Sequence, residues 1–565
     1  MTSPTDAIRD SLKQALHALN LPESNFVIEV PPDPSLGDYS ANVALILARE
    51  VGKPPHDLAR LLASELEKNL PPMISRVEVA GAGFINFHLT KEFLGAGLIG
   101  VTNQDSYGKG DLAKGGKIII EYTDPNPFKE FHIGHLMSNT IGEALSRLVA
   151  FQGAEVKRAC YQGDVGLHVA KAIWGKRGLD DGDDSAEAWG KAYALGATAY
   201  EKDTSVKEEI GELNKKIYDK SDPAVNKIYE EGRKISLDYF EQIYKRLGTK
   251  FDLYFFESES WPIGKKLVEE NIGKVFELSE GAVVFRAEEV NPKLHTRVFL
   301  TKESLPTYEA KELGLAKLKK ERSPADTSIV VTGNEVDQYF AVVLAALKLI
   351  DPVEAAKTKH LSHGMLRLPE GKMSSRSGNV VTAESLLDAL RLAANAKITD
   401  ENLPAEERKV VVEAVALAAI KYSILKQAPG RDTVFNLEQA ISFEGDSGPY
   451  LQYTLVRARS ILTKAPTSLP ANDDLLINLI DVEWEITRQL LHFPEVTARA
   501  ARDFAPQHLV EYLTKLAGDF NTYYAKQKII DSGPGTASRL ALTRAVAQVL
   551  TSGLDLLAIP TLERM

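Results

Sequence analysis

The spacing of apolar residues changes character along the chain, and each change marks a boundary. Near the N-terminus Ile8, Leu12, Leu16 and Leu19 recur at helical spacing, and Leu58, Leu61, Leu62 and Leu66 do so again. The stretch PPDPSLGDYS between them is turn chemistry. RVEVAGAGFINFHL, residues 76–89, alternates like two strands broken by a glycine turn. These patterns predict an α+β module over residues 1–105, followed by the polar, glycine-rich SYGKGDLAKGGK.

A different pattern follows. KIIIEY is a short continuous apolar strand, and a helix is expected from about 134 to 152. EVKRACY is a second strand. RVFLT comes before a helix at PTYEAKELGLAKL, and SIVVTG before one at EVDQYFAVVLAALKLI. Continuous apolar strands alternating with helices predict a parallel sheet covered on both faces. The fold class is therefore α/β over residues 106–381, with a charged, helix-favouring insertion at about 176–246. From 382 to 565 the strand pattern stops and helices are expected, with a break at KAPTSLPAND.

At 565 residues the chain is too long for one core. No apolar run approaches membrane-spanning length, and the N-terminus lacks the basic and apolar regions of a signal peptide. Cys160 is the only cysteine, which excludes a disulfide framework and a cysteine-rich zinc site and fits a reducing cytosol. A net charge of −11 gives no bulk signal for nucleic acid, but binding needs only a local basic face. From Arg499 to Arg544 seven Lys/Arg stand against four Asp/Glu, interleaved with Phe504, Tyr512, Phe520, Tyr523 and Tyr524. Unpaired bases stack on such aromatics while cations take phosphates, although the same stripe also has to supply helical core.

The strongest chemical signal is FHIGHLMSNTIGEALSRL, residues 131–148. His132, Gly134 and His135 stand where a helix starts. Free N–H groups and the positive dipole end there attract phosphate, and a glycine lets it approach. The prolines of DPNPFKE should hold the approach extended, and Lys129 adds a cation. An H-x-x-H pair on its own is more often a cap or core pair. A zinc pair lacks a third ligand nearby. A second segment favours phosphate. GKMSSRSGNVV, residues 371–381, carries Lys372 and Arg376 on a Gly/Ser-rich loop able to close over a transferring phosphate.

H-I-G-H followed by K-M-S resembles the signature pair of class I aminoacyl-tRNA synthetases. The resemblance is closest to the arginyl-tRNA synthetase family. It extends through LGDYSANVAL, GAGFINFHL, EYTDPNP, GDVGLHV, LGTKFDLYFFES, DSGPYLQYTLVRARSIL, FNTYYAKQKII and LLAIPTLERM. It implies a dinucleotide-fold enzyme that joins L-arginine to ATP, releases pyrophosphate and passes arginine to tRNA(Arg). Mg2+ would arrive with ATP, and no metal site of the protein's own is expected. The working form is expected to be a cytoplasmic monomer, with residues 1–105 and 382–565 serving tRNA.

Roles carry over by position. His132, Gly134 and His135 match the ATP cradle, Gly333 and Glu335 the ribose stretch, and Met365 and Ser374 the segments beside adenine and phosphates. Glu121, Asn126, Tyr308 and Glu312 match the arginine pocket, with Glu at 312 where the family has Asp. Catalysis would fall to His132, His135, Lys129, Lys372 and Arg376, with Lys129 replacing the lysine that the mobile loop lacks at Ser375. Phe84, Asn86, Tyr453, Arg457 and Tyr523 match tRNA-contacting stretches. GNEVDQYF lacks the Gln and His that most relatives carry there. Rival readings are another H-x-G-H nucleotidyl transferase, a synthetase for a different amino acid, or an inactive tRNA-binding relative.

Overall fold

A computed structural model describes residues 3–31, 33–104, 106–179, 182–367, 382–398, 403–465 and 479–565. The expected mobile loop, with Lys372, Ser374, Ser375 and Arg376, lies outside the described residues. The chain forms two compact units. One comprises Met1–Tyr107, Arg457–Pro494 and Lys515–Leu550; the other comprises Gly108–Val456, Glu495–Thr514 and Thr551–Met565.

In the first unit, Pro4–Ala18 buries Ile8, Leu12 and Leu16, and Pro55–Leu66 buries Leu58, Leu62 and Leu66. Leu19 and Leu61 fall at the edge of these stripes and stay partly exposed. The helices pack on a four-stranded antiparallel sheet ordered Ile28–Glu29, Tyr39–Ala41, Phe84–Leu89, Ile74–Ala80. Trp484, from the helix Asp481–Leu491, joins the same core. Asp38, buried beside it, accepts the Leu89 N–H at 2.7 Å and pairs with Arg488 at 2.8 Å.

The second unit is built on five parallel strands. They are β1 (Lys117–Glu121), β2 (Glu155–Gln162), β3 (Leu253–Phe256), β4 (Thr327–Gly333) and β5 (Thr358–His363). Their order is β5-β4-β1-β2-β3, every pair parallel. The covering helices include α1 (Ile133–Phe151), α2 (Glu257–Glu270), α3 (Tyr308–Arg322) and α4 (Asp337–Ile350). Strand order runs outward in both directions from β1 and β4. The two connections therefore leave on opposite sides and open a crevice at the carboxyl ends of these strands, where such sheets bind ligands. Between β2 and β3 lie the helices Ala186–Lys202, Thr204–Asp219 and Pro223–Leu247.

The RVFLT segment corrects an expectation. Arg297–Leu300 does not join the parallel sheet; it pairs antiparallel with Ala282–Phe285 in a separate three-stranded sheet with Glu277–Ser279. The Glu280–Gly281 turn, with φ of +50° and +87°, joins Glu277–Ser279 to Ala282–Phe285, and Arg297–Leu300 adds to the other edge of that hairpin, a partner nearer in sequence than the parallel strands. The outer parallel strands come instead from LYFF and TKHLSH.

Helices dominate after residue 382 among the described residues, from Ala383–Lys397 and Ala405–Leu425 to Gln507–Lys526 and Thr536–Leu556. The short strand Thr433–Val434 pairs with Leu366–Arg367. No described helix is long and apolar enough to cross a membrane.

Candidate active site

A cavity of about 580 Å³ opens at the crevice between β1 and β4. Its floor is the end of β1 and the loop after it. Thr123 and Asp124 there have φ of +84° and +45°. The approach through DPNP is thus not extended throughout, as the prolines suggested. Proline disfavours the right-handed helical region for the residue before it but leaves the left-handed one open, and Asp tolerates that region well. Asp124 is held there because its Oδ1 accepts the Tyr161 N–H at 2.7 Å. Asn126 lines the cavity against Gly163, where a methyl group would come within 2.4 Å of Asn126 Oδ1.

One wall is the start of α1. His132 is its N-cap, with an extended backbone, and its Nδ1 accepts the Gly134 N–H at 3.1 Å. His135 Nδ1 accepts the His132 N–H at 3.3 Å, and the two rings stack 3.6 Å apart. The pair is therefore a helix cap as well as a candidate ligand site. Since both Nδ1 atoms accept, each neutral ring carries its proton on Nε2. Burial, then nearby Lys129, pushes the His132 imidazolium down to about 4; burial, then His132 and Lys129, holds that of His135 well below its usual range. Both rings are neutral donors near pH 7. A methyl group on Gly134 would sit 2.9 Å from the His132 ring, so glycine keeps the stack intact.

The start of α1 is anchored from behind. Gly142 packs on the buried Tyr122 ring, and Glu143 accepts from Tyr122 Oη at 2.6 Å, Arg147 Nε at 2.7 Å and Arg158 Nε at 3.1 Å. Such a satisfied buried network fixes the helix against the strand that carries Glu121.

The acidic character of the cavity is its main electrostatic feature. Glu121, Asp124, Glu312 and Glu335 line it, and no described lining residue is Lys or Arg. Glu121 is buried and pairs with the buried Lys319 of α3 at 2.7 Å. Glu312 lies on the same helix and has no cation paired to it among the described residues; its Oε2 receives the Tyr339 hydroxyl at 3.5 Å. Burial, then Glu121, pushes its carboxyl up to about 8. Burial, then Glu121, likewise raises Asp124 well above the carboxylate range. Desolvated acids at this density call for a cationic ligand.

The opposite side comes from the ends of β4 and β5. Gly333 and Glu335 meet closely; a methyl group on the glycine would lie 2.1 Å from Glu335 Oε2. His363 receives the Ser138 hydroxyl at Nε2, 2.8 Å away, while its Nδ1–H donates to the Gly364 carbonyl at 2.7 Å. His360 stacks on Phe340 at 4.1 Å and bonds Thr332 at 2.7 Å.

The cavity thus brings together Glu121, Asn126, His132, Gly134, His135, Glu312, Gly333, Glu335 and Met365. It does not include Tyr308 or Lys129. Tyr308 opens α3, is 57% exposed, and its ring lies 5.1 Å from the Lys311 ammonium. Tyr308 and Glu312 lie four apart on α3, as expected, but only Glu312 lines the cavity. Tyr339 stands beside Glu312 instead. Lys129 places its ammonium 4.6 Å from the centre of the Tyr193 ring, next to the histidine pair. Thr123, Asp124, Tyr161, Lys319, Tyr339 and His363 were missed in the sequence. Of these only Lys319 left a signal, as a cation seven residues after Glu312 and so on the same helical face.

Among the candidate tRNA contacts, Tyr523 requires correction. Its ring is 1% exposed and its hydroxyl donates to the buried Glu483 at 3.1 Å, because this face of Gln507–Lys526 is core. Phe520 is buried too, whereas Tyr524 is 41% exposed under Arg457 at 4.9 Å. Tyr453 is exposed and Phe84 partly so. Asn86 is 2% exposed, and its Oδ1 has no partner among the described residues.

The family described as "tRNA synthetases class I (R), catalytic domain" matches residues 101–437. "Arginyl tRNA synthetase N terminal domain" matches 6–89, and "DALR anticodon binding domain" matches 451–565. The chain is 30% identical to the arginine–tRNA ligase of Treponema pallidum subsp. pallidum over 96% of its own length and 95% of that protein. It is likewise 30% identical to that of Borreliella burgdorferi, covering 97% and 96%. The Thermus thermophilus arginyl-tRNA synthetase structure superposes with a TM-score of 0.82 at 26% identity, covering 100% of both chains. The chain belongs to the arginyl-tRNA synthetase family of class I aminoacyl-tRNA synthetases.

Proposed function

We propose that this protein is the arginine–tRNA ligase of its cell, and that the cavity between β1 and β4 is where arginine meets ATP. The observation that supports this most strongly is the pairing of two environments in one cavity. Acidic groups with no Lys or Arg beside them in the described cavity lining suit a guanidinium, and a helix N-terminus capped by two neutral imidazoles suits phosphate.

In the first step a carboxylate oxygen of arginine attacks the α-phosphorus of ATP. The bond from that phosphorus to its bridging oxygen breaks, and pyrophosphate leaves. No protein nucleophile is needed, so the residues position reactants and stabilise charge. The Nε2–H groups of His132 and His135, with the amides at the start of α1, donate to phosphate oxygens. Glu312 and Glu121 take the guanidinium, Asn126 the backbone end of arginine, and Gly333, Glu335 and Met365 the nucleoside. Lys129, Lys372, Ser374 and Arg376 complete the phosphate contacts. Mg2+ enters as part of the ATP substrate. In the second step the terminal ribose of tRNA(Arg) attacks the arginyl carbonyl and AMP departs.

In this reading residues 106–381 carry the chemistry, residues 1–105 hold the outer part of tRNA through Phe84, and residues 382–565 read the anticodon arm through Tyr453 and Arg457. One chain contains every part, so the proposed working unit is a monomer, in the cytoplasm where its substrates are. The test is ATP–pyrophosphate exchange by the purified protein, with and without tRNA. Exchange that depends on arginine supports the reading; exchange driven equally by lysine, or none with arginine and tRNA both present, contradicts it.

A further inference from the structure

The buried ion pair behind the acidic wall has a consequence for specificity. Lys319 Nζ lies 2.7 Å from Glu121 Oε2, with side-chain exposures of 6% and 2%. Glu121 lines the cavity from the end of β1, whereas Lys319 does not line it. Two further acids face this pair, Asp124 from the loop after β1 and Glu312 from α3. Lys319 is the one described cation paired with this group of carboxyls.

We propose that Lys319 is a positioning residue for arginine recognition: from behind the cavity it holds the Glu121 carboxylate in one orientation, so that an oriented acceptor meets the guanidinium. This rests on the reading of the cavity as the arginine site. The ammonium of Lys319 is supported in turn. Burial works against its charge, and Glu121, then Glu312, more than offset that. The two acids thereby take different tasks. Glu121 is fixed by its ion pair before arginine arrives, whereas Glu312, its carboxyl pushed up to about 8 by burial and then Glu121, ionises as arginine binds. A lysine substrate has no planar fork to match this arrangement.

The test uses the full chain with tRNA present and follows exchange at pH 7. Wild type, Lys319→Gln and Lys319→Arg are compared for arginine KM, ATP KM and kcat. Glutamine removes the charge that fixes Glu121, and breaking a buried pair is costly, so Lys319→Gln should raise arginine KM roughly tenfold or more. ATP KM should stay near wild type. Lys319→Arg keeps the cation and should keep arginine KM near wild type. Equal changes in both KM values, or no change in either, would reduce Lys319 to a structural residue and overturn the proposal. Should Lys319→Gln fail to fold, Lys319→Arg decides alone: a folded Arg variant that has lost arginine affinity also overturns it. A wild type with no arginine-dependent exchange would instead refute the reading of the site itself.

Discussion

His132 and His135 stack 3.6 Å apart, and each spends Nδ1 on a backbone N–H of the helix they open. Capping therefore uses one nitrogen of each ring, and ligand binding has the other. His132→Asn should separate the two jobs, because the Asn oxygen can still accept the Gly134 N–H but no donor replaces Nε2–H. Adenylate formation in single turnover should fall about 10²- to 10³-fold, the scale for one lost charge-stabilising donor. His132→Ala should in addition lose about 0.5–2 kcal/mol of stability as an N-cap. Equal melting losses in both variants would show that the imidazole serves only the cap.

Glu312 makes arginine binding depend on pH. Its carboxyl is pushed up to about 8, first by burial and then by Glu121, so the free site holds it largely protonated at pH 7. A guanidinium stays charged throughout and pairs best with the ionised form. Arginine KM should therefore fall as pH rises from about 6.5 and level off above about 8. His132, with its pKa near 4, adds no titration in this window. Glu312→Gln should raise arginine KM far more than ATP KM and remove the slope. A wild-type arginine KM that is flat from pH 6.5 to 8.5 would contradict the assignment.

Much of the sheet was legible because buried parallel strands read as unbroken apolar runs, as in KIIIEY and SIVVTG. The outer strands LYFF and TKHLSH were not, since edge strands are covered less completely and carry polar residues. RVFLT looked like a further parallel strand because its local pattern does not state its partner, the strand Ala282–Phe285. In the site, His132, Gly134 and His135 were legible because a motif at a helix start fixes their relative geometry. Tyr308 shares α3 with Glu312, as the spacing suggested, but spacing alone does not say which of the two reaches the cavity. Tyr523 misled because an aromatic stripe on a helix supplies core before it supplies surface. Lys319 escaped notice because its partner, Glu121, is almost two hundred residues away in sequence and meets it only in the fold.

Lys421 gives a stability prediction in the second unit. Its ammonium is buried and donates to the Leu247 and Ala558 carbonyls, each at 2.6 Å. Burial, then Arg147, pushes its pKa down to about 7 from the ordinary 10.5. Between those values the unfolded chain binds a proton that the folded chain releases, so this residue's contribution to stability rises with pH across the window. The melting temperature of the wild type relative to Lys421→Met should accordingly increase from pH 7 to pH 10. A difference that stays constant or shrinks would show that Lys421 remains fully charged in the fold.

Lys129 rests on Tyr193, beside the histidine pair and outside the cavity lining. If it supplies the cation that the K-M-S segment lacks at Ser375, Lys129→Ala should slow adenylate formation roughly 10²-fold, with arginine KM little changed. Adding Ser375→Lys should restore part of the rate. A near wild-type rate for Lys129→Ala would leave this lysine as a solvated, aromatic-packed charge.

The most direct measurement is charging of unfractionated tRNA by the purified protein, with ATP, Mg2+ and each of the twenty amino acids in separate reactions. Only arginine should become esterified to tRNA, and charging should weaken as salt rises because phosphate contacts release counterions. Charging with lysine or any other amino acid at a comparable rate, or none with arginine, would contradict the account.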